Sequence, residues 1–298
     1  MKNNYSHHDT LYQTIFDIQS TVNFSFEFFP PKTLYNINNN FLPTINKLSI
    51  FNPKFISVTC SPQIEYSIDY TYQAIQNIPK NLSLNIAPHI TYINNINKIS
   101  ELAQRYWDHG IKNIVALRGD VISQEYCTEV YACDLVTLLK KIADFDISVA
   151  AYPEMHPEAQ SAKLDLLYLK KKIDCGANRA ITQFFFDVDK YLRFRDRCIA
   201  IGIDVDIIPG ILPILNFQQL QRFVKLTNVY VPTWIHNIFY NLDSNNSTLN
   251  KMASLMICVN IIQRLCTEGV KNFHFYTLNQ FDITYSLCTL LKNKIKVN

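Results

Sequence analysis

The chain has 298 residues, 48% hydrophobic and 18% charged, with a net charge of +3. That is ample material for one large core, and too little charge imbalance to mark nucleic acid or an anionic membrane as partner. No run approaches the roughly 20 apolar residues that cross a bilayer, and residues 1–19 lack the basic-then-apolar order of a secretory leader, so a cytoplasmic location is expected.

Short runs rich in apolar, β-branched and aromatic residues recur at 24–29, 55–59, 85–91, 113–117, 147–152, 179–186, 206–212 and 273–278. Between them lie stretches at helical period: Leu135, Leu138, Leu139 and Ile142, then Ala162, Leu166 and Leu169, then Met252, Leu255, Met256 and Val259. Strand and helix alternating about eight times in a chain of this length predict an α/β fold, a (β/α)8 TIM barrel, over a doubly wound open sheet. No linker divides the chain, so residues 1–298 are read as a single catalytic domain with extra helices and an N-terminal extension over 1–20. The interval from Leu212 to Phe273 is too long for one helix; two or three are expected there, with 241–250 as an exposed loop.

The eight cysteines contain no C-x-x-C pair and read as reduced, mostly buried small hydrophobes, with no metal site. The six glycines, Gly110, Gly119, Gly176, Gly202, Gly210 and Gly269, are spaced so that neither G-x-G-x-x-G nor a Walker A loop can be written. A phosphate-bearing cofactor would have to be held by side chains and helix N-termini.

In a barrel of this kind the chemistry sits at the C-terminal ends of the strands. There the runs deliver Glu27, Thr59, His89, Arg118-Gly119-Asp120, Tyr152 with Glu154 and His156, Gln183, and Tyr276, Thr277 and Asn279. Polar groups gathered at one end of seven runs point to an enzyme. Glu27 stands within Phe24-Ser25-Phe26-Glu27-Phe28-Phe29, where desolvation favours the proton-carrying form and suits a general acid. The competing reading is a structural ion pair with an arginine such as Arg118. For Asp120 the competing reading is a structural loop cap, and His89 and His156 read as ligand-contacting or core histidines.

Several segments taken as they stand resemble the bacterial methylenetetrahydrofolate reductases: FSFEFFPPK at 24–32, APHIT at 87–91, NIVALRGD at 113–120, AAYPEMHPEA at 150–159, GANRAITQFFFD at 176–187, IPGILPI at 208–214 and FHFYTLN at 273–279. The similarity runs from about Val22 to Tyr285, in order. It implies a barrel holding FAD that is reduced by NADH and passes hydride through flavin N5 to methylenetetrahydrofolate, with ping-pong kinetics, in support of methionine synthesis. It also implies a homo-oligomer, while charge and hydropathy leave no nucleic-acid or membrane partner expected.

By position, Glu27 matches the family's general acid and Asp120 an aspartate near flavin and pterin, both counted as catalytic. For FAD the matching positions are Thr59, His89, Arg118, Gly119, Asp120, Tyr131, Ala132, Tyr152, His156, Ala159, Asp165 and Lys172, with Arg118 and Lys172 suited to the pyrophosphate. For substrate they are Asp120, Gln183, Gln219, Phe223 and Gln280. The chain departs from the family pattern at Cys60-Ser61, where Tyr-Gly is usual, at Gln280, where an arginine is typical, and at Tyr168 and Lys171, where Asn and Arg are commoner. Other barrel flavoenzymes, an aldolase, or a non-catalytic barrel kept as a scaffold are the competing assignments.

Overall fold

The computed structural model describes residues 22–60, 67–91, 95–119, 131–242 and 246–292. Strand β1 (Asn23–Phe28) pairs in parallel with β2 (Ile56–Val58) on one side and with β9 (Asn272–Tyr276) on the other. From β2 the parallel ladder continues through β3 (Ile86–Thr91), β4 (Asn113–Leu117), β5 (Asp146–Ala151), β6 (Arg179–Thr182) and β7 (Asp206–Ile208). The short β8 (Gly210–Ile211) pairs with β9, so the run 206–211 joins β6 on one edge and β9 on the other. Pro209 divides that run because proline has no N–H to give the ladder, while its carbonyl accepts from the His274 N–H at 3.0 Å. Counted through this split strand, the sheet is an eight-membered parallel barrel, as the alternation of runs predicts.

Closure depends on one close approach. A Cβ on Gly210 would lie 2.3 Å from the Thr182 carbonyl oxygen and 2.6 Å from the Tyr276 ring. The Gly210 N–H donates to Thr182 Oγ1 at 2.9 Å, and the Tyr276 hydroxyl donates to the Thr182 carbonyl at 2.7 Å. Only glycine lets these strands meet at that separation.

The helices follow the strands: α1 (Leu42–Ser49), α2 (Ser67–Gln76), α3 (Ile96–Asp108), α4 (Ala132–Ile142), α5 (Ala162–Asp174), α6 (Val188–Ala200), α7 (Phe217–Thr227), α8 (Thr233–Asn241), α9 (Ser247–Thr267) and α10 (Asp282–Lys292). Alternation along the strands makes two cores. Phe24, Phe26 and Phe28 pack outward with Phe41, Ile45 and Leu48, Phe28 meeting Phe41 edge-on at 5.9 Å. Inward, Phe55, Ala87, Val115 and Ile181 form a small separate cluster. Near the strand starts Arg179 pairs with Asp146 at 2.6 Å, reaches Ser148 at 3.2 Å and lies over Phe55, which stacks on His274. These groups fill the barrel's lower interior and leave the polar residues above them at the opposite rim.

Three expectations change. The sixth strand stops at Thr182, because Gln183 Oε1 accepts from the Phe184 N–H and takes the chain out of the ladder. The eighth ends at Tyr276, since Leu278 and Asn279 have φ of 52° and 57°. The loop over 241–250 is shorter than read: Asn246 caps α9 by accepting from the Leu249 N–H at 3.1 Å, and Asn250 lies buried within the helix, donating to the Asn246 carbonyl. The three helices α7, α8 and α9 do fill the long interval. Among the described residues no helix is long and apolar enough to cross a membrane, and no cysteine is in a disulfide.

Candidate active site

Glu27 enters the barrel from β1 because its neighbours Phe26 and Phe28 claim the outward face. Its carboxylate Oε2 lies 3.4 Å from His89 Nε2 of β3 and 3.7 Å from His274 Nε2 of β9. Neither has the geometry of a formed hydrogen bond, and both imidazole nitrogens are buried without a hydrogen-bond partner. Ser57, which sits beside Glu27 in the register with β2, likewise keeps a buried, unpartnered Oγ. The register with β9 sets Ser25 opposite His274, and Ser25 Oγ shares a 2.8 Å hydrogen bond with His274 Nδ1. Ser25, His274 and Glu27 thus form one file, with His89 closing on the carboxylate from the far side.

Burial is the largest single influence on the Glu27 carboxyl and pushes its pKa up. The imidazoles, His274 ahead of His89, together outweigh it and hold the group below the ordinary carboxylate range. His89 is itself held below the usual imidazole value, chiefly by burial, against the upward pull of Glu27. This corrects the sequence-based expectation of a neutral Glu27: among phenylalanines alone it would be protonated, but two histidines brought from distant strands keep it ionised in the free protein. The alternative pairing with Arg118 does not occur, because Arg118 pairs with Glu158.

The main chain of Glu27 is gripped as well. Its carbonyl accepts from Thr277 Oγ1 at 2.6 Å and from the Thr277 N–H at 3.2 Å. Two residues on, the Asn279 side chain accepts from the Phe29 N–H and donates to the Phe29 carbonyl, both at 2.9 Å. Gln280 follows, exposed at the rim, with its N–H donating to the Thr277 carbonyl. Thr59 is tied by its backbone, its N–H to the Phe28 carbonyl and its carbonyl to the Thr71 hydroxyl. Cys60 is buried; Ser61 and Asp120 lie outside the described residues, so the predicted role of Asp120 has no geometry here.

A second group gathers where β4 and β5 end. Arg118 pairs with Glu158, and Gly119 beside it has a φ of 84°, a left-handed conformation that glycine permits. The Glu158 N–H donates to His156 Nδ1 at 3.1 Å, so the neutral ring carries its proton on Nε2. That ring stands edge-on to Tyr152 at 4.5 Å, and burial foremost pushes its pKa down. Asp165 in the first turn of α5 accepts from the His156 N–H, and the Ala159 N–H donates to the His156 carbonyl. Lys172 donates to the Ala150 carbonyl at 2.5 Å, and burial lowers its pKa to about 8. Tyr131, just before Ala132 at the start of α4, stacks on Tyr168 of α5 at 5.4 Å and 14°, leaving an exposed aromatic face. A guanidinium, a half-buried ammonium, an imidazole N–H and a flat aromatic surface suit a ligand with phosphates and planar rings, as FAD is.

On the β6 and β7 side, Gln183 has its carbonyl oxygen engaged by Phe184, so what it can offer a ligand is its amide N–H pair. Gln219 is set the same way: its Oε1 accepts from the Leu215 N–H at 2.8 Å while Asn216 caps the helix. Phe223 meets Phe184 edge-on at 6.1 Å. Sequence reading passed over His274 and Ser25. The signal was the shared parity of FSFEF and FHFY, which places Ser25, Glu27, His274 and Tyr276 on one face.

The model of a family described as methylenetetrahydrofolate reductase matches residues 11–292. The chain is 51% identical over 291 residues to the 5,10-methylenetetrahydrofolate reductase of Buchnera aphidicola subsp. Acyrthosiphon pisum, covering 97% of this chain and 99% of that one. It is 50% identical to the Escherichia coli (strain K12) protein of the same description, over 96% of each chain. A solved structure from Clostridium thermocellum, described as binding two copies of 5-methyl-5,6,7,8-tetrahydrofolic acid, shares the fold at a TM-score of 0.65 and 19% identity, over 95% of this chain and 98% of that one.

Proposed function

The chain belongs to the methylenetetrahydrofolate reductase family and catalyses that reduction, and from this premise we propose that it does so with FAD and NADH, with Glu27 as the proton donor. The single observation that carries the assignment of Glu27 is its half-buried carboxylate facing His89 and His274 at 3.4 and 3.7 Å. FAD, when bound, would supply the two-electron chemistry that links NADH to the methylene group.

The chain's own residues do the rest. Arg118 would hold the pyrophosphate in place of Glu158, with His156 and Lys172 along the same rim, and the Tyr131–Tyr168 face would support a planar group. Gln183 presents its amide N–H groups to the pterin and, in turn, to the nicotinamide, and Gln219 presents its own to the folate. Thr277 fixes the backbone of Glu27. When folate fills the rim it removes water from the partly exposed Glu27. That strengthens the burial contribution, which acts upward, so the carboxyl takes up a proton as the site closes. The Ser25–His274 hydrogen bond holds in place the imidazole that faces this carboxyl, which takes its proton from water at the rim. Glu27 then gives the proton to the folate as its five-membered ring opens to the reactive iminium.

Because nicotinamide and pterin use the same glutamine and the same face, the two substrates alternate, and kinetics are ping-pong. Anaerobic reduction of the bound flavin by NADH followed by methylenetetrahydrofolate tests the reading. Bleaching and then reoxidation is expected; a colourless protein, or a reduced flavin that folate leaves unchanged, overturns it.

A further inference from the structure

Glu154, in the turn after β5, takes no part in the chemistry above, yet its side chain is only 10% exposed. Its Oε2 accepts from Lys190 Nζ of α6 at 2.7 Å and from the Tyr230 N–H at 3.0 Å. Lys190 Nζ also lies 4.2 Å from the centre of the Tyr230 ring, so one carboxylate and one ammonium grip Tyr230 from two sides. Glu154 Oε1 is buried with no partner. Both bonds to this carboxylate are charge-assisted, and loss of either partner would leave a buried charge uncompensated.

Tyr230 belongs to the connection between α7 and α8, just behind the helix that carries Gln219 and Phe223. That helix is thinly anchored: of its eleven residues only Leu220 is fully buried. Its first turn is held by the Asn216 cap, and its end by Asn228, whose N–H donates to the Val224 carbonyl from a left-handed φ of 57°. Beyond that cap the chain meets the buried Val229 and then the Glu154 grip.

We propose that Glu154 is a positioning residue, a clamp that through Lys190 and Tyr230 sets α7, and with it Gln219 and Phe223, at the height where they meet the substrate. This rests on the reading of Gln219 and Phe223 as substrate contacts. Releasing the clamp lets α7 move outward, so binding of folate weakens while the proton donor and the flavin-side residues stay where they are.

The test uses the flavin-loaded enzyme as E154Q, K190M, the double variant E154Q/K190M, and Q219A as an independent probe of α7. E154Q is expected to raise the folate KM about tenfold, the scale of a lost charge-assisted hydrogen bond, with kcat within about twofold. Flavin content should not change, and the Tyr230 amide should exchange hydrogen faster. K190M should do the same, and the double variant should be little worse than either single one. An unchanged KM in E154Q and K190M while Q219A raises it overturns the clamp. An unchanged KM in all of them overturns the reading of α7 as a substrate element, and the clamp with it. Should E154Q fail to fold, K190M carries the same comparison.

Discussion

Thr277 holds Glu27 by its main chain: the threonine hydroxyl donates to the glutamate carbonyl at 2.6 Å, and the threonine N–H donates to the same oxygen at 3.2 Å. The residue that follows the last strand thereby sets the height of the proton donor on the first. Removing only the hydroxyl, as Thr277→Val, is expected to slow folate reduction about tenfold, the scale of one lost hydrogen bond, and to leave reduction of the flavin by NADH unchanged. Rapid-mixing measurement of the two half-reactions separates these; equal slowing of both would mean that Thr277 serves the fold rather than Glu27.

Replacing the carboxylate itself as Glu27→Gln keeps the shape and removes the titrating group. Folate reduction should fall by about 10²–10⁴-fold, the usual contribution of a positioned general acid. NADH should still bleach the flavin at close to the normal rate. Retention of both half-reactions would move the proton donor elsewhere.

Acid should destabilise the protein in two stages. Both His89 and Glu27 titrate below their ordinary values in the folded state. The unfolded chain therefore binds more protons as pH falls through about 6.5 and again through the carboxylate range. Stability is full above the ordinary histidine value, declines below it, and declines further as Glu27 takes up its proton. Denaturant titrations between pH 8 and pH 5 should show this slope, with part of it gone in His89→Asn. A slope unchanged by that substitution would exclude the buried imidazole as its source.

Lys172 carries an opposing demand. Its pKa, lowered to about 8 by burial, means that charge at this position costs the cofactor-free protein stability. That cost is relieved as pH rises from about 8 toward the ordinary lysine value near 10.4. Lys172→Met should therefore raise the Tm of the cofactor-free protein and weaken FAD binding, as read by melting curves and flavin fluorescence titration. A lower Tm would show that the bond to the Ala150 carbonyl outweighs the burial cost.

Gly210→Ala tests barrel closure. With 2.3 Å to the Thr182 carbonyl oxygen there is no room for a methyl group, and the nearest obstacle is backbone. A loss of about 2–4 kcal/mol is expected, at or above the upper range for overpacking. A wild-type Tm in this variant would mean that β8 and β9 separate without cost.

What the sequence determined by itself is the alternation of buried runs with helical periods, because side-chain periodicity is local and survives without neighbours. It also set Glu27 among phenylalanines at the end of the first run, and the motifs carried the family. The ends of strands six and eight were not legible, since Gln183 and Asn279 end them through hydrogen bonds to particular partners. Nor was the charge state of Glu27. Local sequence shows only its apolar neighbours, whereas His274 stands |i−j| of about 250 away, as the register of Ser25 with His274 shows. Electrostatics in a buried site are set by what the closed barrel brings within a few ångströms, which tertiary structure alone decides.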